Sequence, residues 1–296
     1  MSKWCKLHIA FLSTAGMLCS FGAAAAQTVA EVPAHGFYVG LGGSYNSVGY
    51  GTQDVYAVGT SNVYRNGALY SSGSAAGPAS LYPGSQSGFA PLVQAGYFQN
   101  FAGTPWLWGT RFTYSYIGQT STLDHARLPQ AGAFTYTQSQ ETVPFTGNAI
   151  VGSYQTSINS ALTLVPFIGH DFSNGFIYLG AGPTLSNVRT KLDDLVGFAD
   201  INGNRTDVSG APLSFSASSW VFGGAVTIGT TYFLTPAFFV DLNYTAQMTA
   251  AAKENYSGVF TNSNAGNGST TTGTMVGSSS GTVVTQGLSF TINQKF

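Results

Sequence analysis

The chain has 296 residues, room for one large domain or two small ones. Charged residues make up only 7% of it, where soluble domains carry about a quarter, while Gly reaches 38 residues and aromatics 14%. A disordered low-complexity chain is excluded by the aromatic content, and a formal net charge of −1 is no footprint for nucleic acid.

Residues 1–26 read as a secretory signal. Lys3 and Lys6 form a positive start, an apolar stretch runs from Leu7 to Ala23, and Ala24-Ala25-Ala26 offers a small-residue cleavage site before Gln27. A lipoprotein is not expected, because Met17-Leu18 precede Cys19 where a lipobox wants small residues. Both cysteines, Cys5 and Cys19, lie within the signal, so residues 27–296 carry no thiol, disulfide or Cys-based metal site. They hold eight basic and eleven acidic residues, a formal charge of −3.

After the signal no apolar run approaches the ~18 residues of a membrane helix. Period-two alternation, the mark of strands, recurs instead. It predicts eight strands near residues 36–49, 88–100, 106–119, 153–171, 176–191, 214–233, 237–253 and 280–296. In 106–116, Trp108, Phe112, Tyr114 and Tyr116 oppose Gly109, Arg111, Thr113 and Ser115. In 237–248, Phe238, Val240, Leu242, Tyr244, Ala246 and Met248 oppose Asp241, Asn243, Thr245 and Gln247. A soluble sandwich would charge its polar face. Here that face is nearly uncharged and rich in Gly, Ala, Ser and Thr, as the cramped interior of a small barrel requires.

Three connections are short: Asn100 to Pro105, Phe172-Ser173-Asn174-Gly175, and Thr235-Pro236. Asn174-Gly175 is read as a hairpin signal built on positive φ. The other four, near 50–87, 120–152, 192–213 and 254–279, are long and expected as loops, the first with room for an extra hairpin between Tyr56 and Tyr70. Short and long alternate, as periplasmic turns and extracellular loops do. The expectation is therefore an all-β fold, a closed antiparallel transmembrane β-barrel of eight strands occupying 27–296, with ten strands still open. Aromatics beside the short turns are expected to form the periplasmic girdle: Phe37, Phe98, Phe101, Trp106, Trp108, Phe172, Phe176, Tyr232, Phe233, Phe238, Phe239 and Phe296.

Two segments resemble a known family. Gly36-Phe37-Tyr38-Val39-Gly40-Leu41-Gly42-Gly43 is similar to the opening strand of small OmpA-like and porin-family outer-membrane barrels. Thr285-x-Gly287-x-x-Phe290-x-Ile292, ending at Phe296, resembles the C-terminal signal read by the barrel-assembly machinery. The resemblance covers the strands and not the loops. It implies export to the bacterial outer membrane and contact with outer-membrane lipid and lipopolysaccharide; no peptidoglycan-binding domain is expected after the barrel, because the chain ends with its last strand.

Candidate chemistry is sparse. His125 is the one histidine placed at the outer rim, beside Asp124; Asp193-Asp194 and Asp124-His125 echo a rim protease faintly, but with different spacing. The stretch Asp200 to Asp207 lacks the closing Glu of a calcium loop and reads as an Asx-rich turn. No catalytic residue, metal or cofactor is expected. A non-enzymatic scaffold with surface loops is the preferred function, its loop ligand left open; a narrow pore is the alternative and a rim hydrolase a distant third. Two charge arrangements stand out. Arg111 and Asp241 both point inward, at nearly equal depth on opposite walls, and are expected to bridge directly or through water, Asn243 or Gln155, the alternative being two charges each solvated in a wet lumen. Arg189 and Lys191 continue the outward row Ile177, Leu179, Ala181 and Leu185 beyond the apolar band of ~25 Å, where lipopolysaccharide phosphates would lie.

Overall fold

The computed structural model describes residues 32–201, 203–264 and 268–296. The signal segment 1–26 lies outside the described residues. No helix occurs among those described; every regular element is a strand.

The strands are β1 (His35–Tyr50), β2 (Gln53–Arg65), β3 (Ala68–Leu81), β4 (Gln86–Asn100), β5 (Trp106–Tyr136), β6 (Thr142–Phe172), β7 (Gly175–Ile201), β8 (Asn204–Asp207), β9 (Leu213–Phe233), β10 (Phe238–Thr249), β11 (Ala252–Asn264), β12 (Ser269–Gly281) and β13 (Val283–Lys295). Eight of them form a ring in the order β5-β4-β1-β13-β10-β9-β7-β6, and β6 pairs back to β5. All pairs are antiparallel. β1 meets β13 from Tyr38↔Lys295 to Tyr50↔Val283, which closes the barrel. Closure removes the open edge that lipid could not satisfy.

The alternation that defined the strands sets the two faces. Large apolar side chains such as Leu41, Phe112, Leu179, Ile228, Leu288 and Phe290 point outward and are exposed. A water-facing surface would not carry so dense an apolar belt; hydrocarbon takes it readily.

The four long connections are not loops. They continue the barrel upward as a second tier. β5, β6, β7 and β9 run on without a break, while β2, β3, β11 and β12 extend β1, β4, β10 and β13 after short interruptions at residues 51–52, 82–85, 250–251 and 282. The upper order β3-β2-β12-β11 repeats the lower order β4-β1-β13-β10. Above the bilayer an outward face need not be apolar, so alternation fades there into Ser, Thr, Gly and Asn and the sequence looks like loop. β11 and β9 face each other without a ladder; Gly258 backs onto Phe215, and the rings of Phe215 and Tyr256 lie 6.0 Å apart.

Turn chemistry also departs from expectation. The β2–β3 tip is Asn66-Gly67, with φ of 48° and 78°, the geometry that a tight hairpin demands. At the β6–β7 turn neither Asn174 nor Gly175 takes a positive φ; Ser173 and Asn174 make the turn. Gly175 serves a different need there, because a Cβ on it would collide with the Thr231 carbonyl of β9.

Candidate functional site

The barrel lumen is the candidate site, and it is filled in layers. At the short-turn end Tyr38, Phe98, Leu107, Phe167, Phe176, Phe233 and Phe239 form a buried cluster. The Phe98 ring packs tilted against Phe176 and edge-on against Phe233, at 5.5 and 6.0 Å between centroids, and Phe233 lies 5.0 Å from Phe239. This corrects the expected girdle. Phe98, Phe176, Phe233 and Phe239 sit one residue out of phase with the outward row, so the pleat turns them into the lumen. Phe37, Phe101, Trp106, Trp108, Phe172, Tyr232, Phe238 and Phe296 remain outside and exposed.

Above this aromatic floor lies a polar layer. Arg111 on β5 and Asp241 on β10 stand four staves apart in the ring, on opposite walls. Arg111 Nη1 reaches Asp241 Oδ1 at 3.3 Å, with both side chains 5% exposed. Tyr178, from β7, completes the contact. Its hydroxyl accepts from Arg111 Nη1 at 2.5 Å and lies 2.8 Å from Asp241 Oδ2, to which it donates. Arg111 Nη2 donates to Thr227 Oγ1 at 3.0 Å. The carboxylate of Asp241 also accepts from Asn243 Nδ2 at 2.7 Å and Thr231 Oγ1 at 3.1 Å. Such satisfaction is what lets a charge pair survive burial. Beside it Gln94 donates to Thr291 and Asn293 at 2.9 and 2.7 Å, tying β4 to β13 across β1.

Gln155 takes no part. It lies in the upper tier, where its amide donates to Ser153 at 3.1 Å. Tyr178 was hidden in the sequence because it reads as one more strand aromatic; its place among the inward residues of β7 was the available signal.

A polar cavity of ≈ 50 Å³ lies beside Arg111, bordered by Asn46, Gln94, Thr113 and Thr245. Higher still, Val48, Tyr50, Ile117, Ile158, Val188, Val221 and Val283 form a second apolar layer. A third, in the upper tier, contains Val55, Leu81, Leu128, Val151, Tyr154, Leu192, Leu195, Tyr256 and Met275. Burial there pushes the Tyr256 phenol up to about 12.

Arg189 and Lys191 point outward on β7. Arg189 is exposed, and its Nε donates to Ser216 at 3.0 Å. Lys191 is bridged to Asp193 at 2.6 Å. The assembly-signal residues Gly287, Phe290, Ile292 and Phe296 lie in or just beyond β13; Phe290, Ile292 and Phe296 are exposed outward, and the amide of Phe296 donates to the carbonyl of Phe37 at 2.8 Å. His125 occupies an irregular position on β5 with φ of 54°, and Asp194 one on β7 with φ of 54°. Both are exposed, and no hydroxyl or carboxylate hydrogen-bonds His125 among the described residues. No cluster of His, Cys, Asp and Glu fit to hold a metal is found among the described residues. In the Asp200–Asp207 stretch Asp200 and Ile201 of β7 pair with Arg205 and Asn204 of β8.

No protein-family model matches the chain, and no curated protein matches it significantly. Solved structures are similar at low identity. Neisserial surface protein A is 14% identical over 83% of this chain and 97% of its own, with a TM-score of 0.31. Ail, the attachment invasion locus protein of Yersinia pestis, is 14% identical over 82% and 98%, at 0.22. The outer membrane protein OprG of Pseudomonas aeruginosa is 9% identical over 90% and 97%, at 0.32. Likeness at this level carries no argument about activity; the eight-stranded barrel stands on its own strand pairing.

Proposed function

We propose that the chain is a non-enzymatic barrel of the bacterial outer membrane, a sealed scaffold that raises a tall tier for contacts at the cell surface. The membrane assignment is supported by the closed antiparallel ring, the apolar belt and the aromatic girdle beside the short turns. The signal-like start and the C-terminal Phe296 fit export and handling by the barrel-assembly machinery.

The observation that carries the scaffold reading is the filled lumen. A pore needs a continuous wet path. Here an aromatic floor, the Arg111–Tyr178–Asp241 layer and two further apolar layers lie across it in series. An eight-stranded lumen is narrow enough for side chains to fill it. The test is conductance of the refolded protein in a planar bilayer. A silent trace is expected; discrete, reproducible current steps would replace the scaffold with a channel.

A further inference from the structure

The upper tier ends in a cavity of ≈ 410 Å³. That falls within the ~300–1,000 Å³ typical of small-molecule sites. Its walls carry the rings of Tyr70, Phe134, Phe145, Phe198 and Phe260, and Ala57, Ala149 and Met275 of the topmost apolar layer contribute to its lining. Below them Val55, Leu128, Val151 and Tyr154 of that layer are buried, and they give the cavity the floor of a cup.

Two charged side chains line the cup, on walls four staves apart: Arg65 at the end of β2, and Asp207 on β8 against β7. They differ in availability. Asp207 is engaged by its own turn, its Oδ1 accepting from the amides of Ser209 at 2.9 Å and Gly210 at 3.0 Å. Arg65 has no acidic partner among the described residues. Its guanidinium carbon lies over the Tyr70 ring, 3.7 Å from the centroid, and the residue is exposed. A guanidinium held by a ring keeps its planar fork free for an oxyanion and loses little rotamer freedom on binding.

We infer that this cup binds a small amphipathic anion: a planar or short apolar body carrying one carboxylate or sulfonate. The head pairs with Arg65, and the body displaces water from the ring-lined wall. An uncharged body gains the wall and forgoes the ion pair. A cation meets Arg65 as a like charge.

Gly59 supplies the blocking variant. It lines the cup, its φ is ordinary, and a Cβ built on it meets nothing within 4 Å. Gly59→Trp therefore starts from a Cβ that meets no neighbour and puts an indole at the wall of the cup. The experiment is equilibrium dialysis of 2-naphthoate, 2-naphthamide and 2-naphthylmethylammonium against protein-loaded and empty lipid nanodiscs. Wild type is expected to favour the naphthoate over the amide by about tenfold, the scale of one charge-assisted hydrogen bond. Arg65→Gln, an exposed change that leaves the fold alone, should erase that preference while retaining weak binding of all three. Gly59→Trp, checked for its heat-modifiable folded band, should abolish specific uptake. Naphthoate uptake unaltered by either variant, or equal uptake of the three probes by wild type, overturns the assignment. Neither result depends on whether the lumen conducts.

Discussion

Arg111 and Asp241 come from opposite walls of the barrel and meet at 3.3 Å, with the Tyr178 hydroxyl bonded to both. Three staves are thereby cross-linked through the interior. Removing either charge strands the other in a buried, crowded layer. Arg111→Ala and Asp241→Ala should each lower unfolding free energy by roughly 3–5 kcal/mol. The double variant should cost clearly less than the sum. Tyr178→Phe keeps the ring and loses the bridge, at about 1–3 kcal/mol. Urea titration of the refolded barrel in lipid measures all four; strictly additive single changes would mean that the charges act independently.

Much of the fold is legible in period two. Alternation along 237–248 separates Leu242 and Tyr244 from Asp241 and Asn243, and that separation is the barrel wall. It also turns Arg111 and Asp241 inward, though spacing alone cannot choose between a direct bridge and two solvated charges. The upper tier is harder to read, because its outer residues include Thr60, Ser257 and Thr274, which no longer contrast with the inside. The Asn-Gly pairs at 66–67, 202–203 and 267–268 are the hairpin signals that the sequence offers in those stretches. The aromatic floor is hard to read for another reason: proximity to a turn says nothing about phase, and Phe98 and Phe37 differ in phase alone.

β13 pairs with β1 on one side and β10 on the other, so it is the stave that closes the ring. Deleting Gly287 to Phe296 removes most of both ladders and leaves two edges whose backbone groups hydrocarbon cannot satisfy. The truncated chain should lack the compact, heat-modifiable band on a gel. A truncated protein that still inserts and migrates as folded would show that closure is dispensable.

Arg189 and Lys191 share the outward face of β7, but their surroundings differ. The ammonium of Lys191 is already held by Asp193, while Arg189 keeps guanidinium donors beyond the one given to Ser216. If lipopolysaccharide phosphate is met here, Arg189 carries more of it. Arg189→Gln should weaken lipopolysaccharide binding in reconstituted membranes several-fold, and Lys191→Gln should weaken it less. The reverse order, or no change in the double variant, would exclude the contact.

The aromatic floor and the polar layer are stacked, and their redundancy can be tested. Phe98 is fully buried, with Tyr38, Phe176 and Phe233 around it at 5.5 to 6.4 Å. Phe98→Ala opens a void in a close-packed cluster and should cost about 3–5 kcal/mol. It should not open a pore. Ions crossing the void would next meet the Arg111–Tyr178–Asp241 layer, and beyond it the buried apolar side chains of Tyr50, Ile117, Ile158 and Val188. The expected result is a lower midpoint in urea together with a silent bilayer trace. Current steps from Phe98→Ala alone would mean that the floor is the only seal and that the layers above it leak.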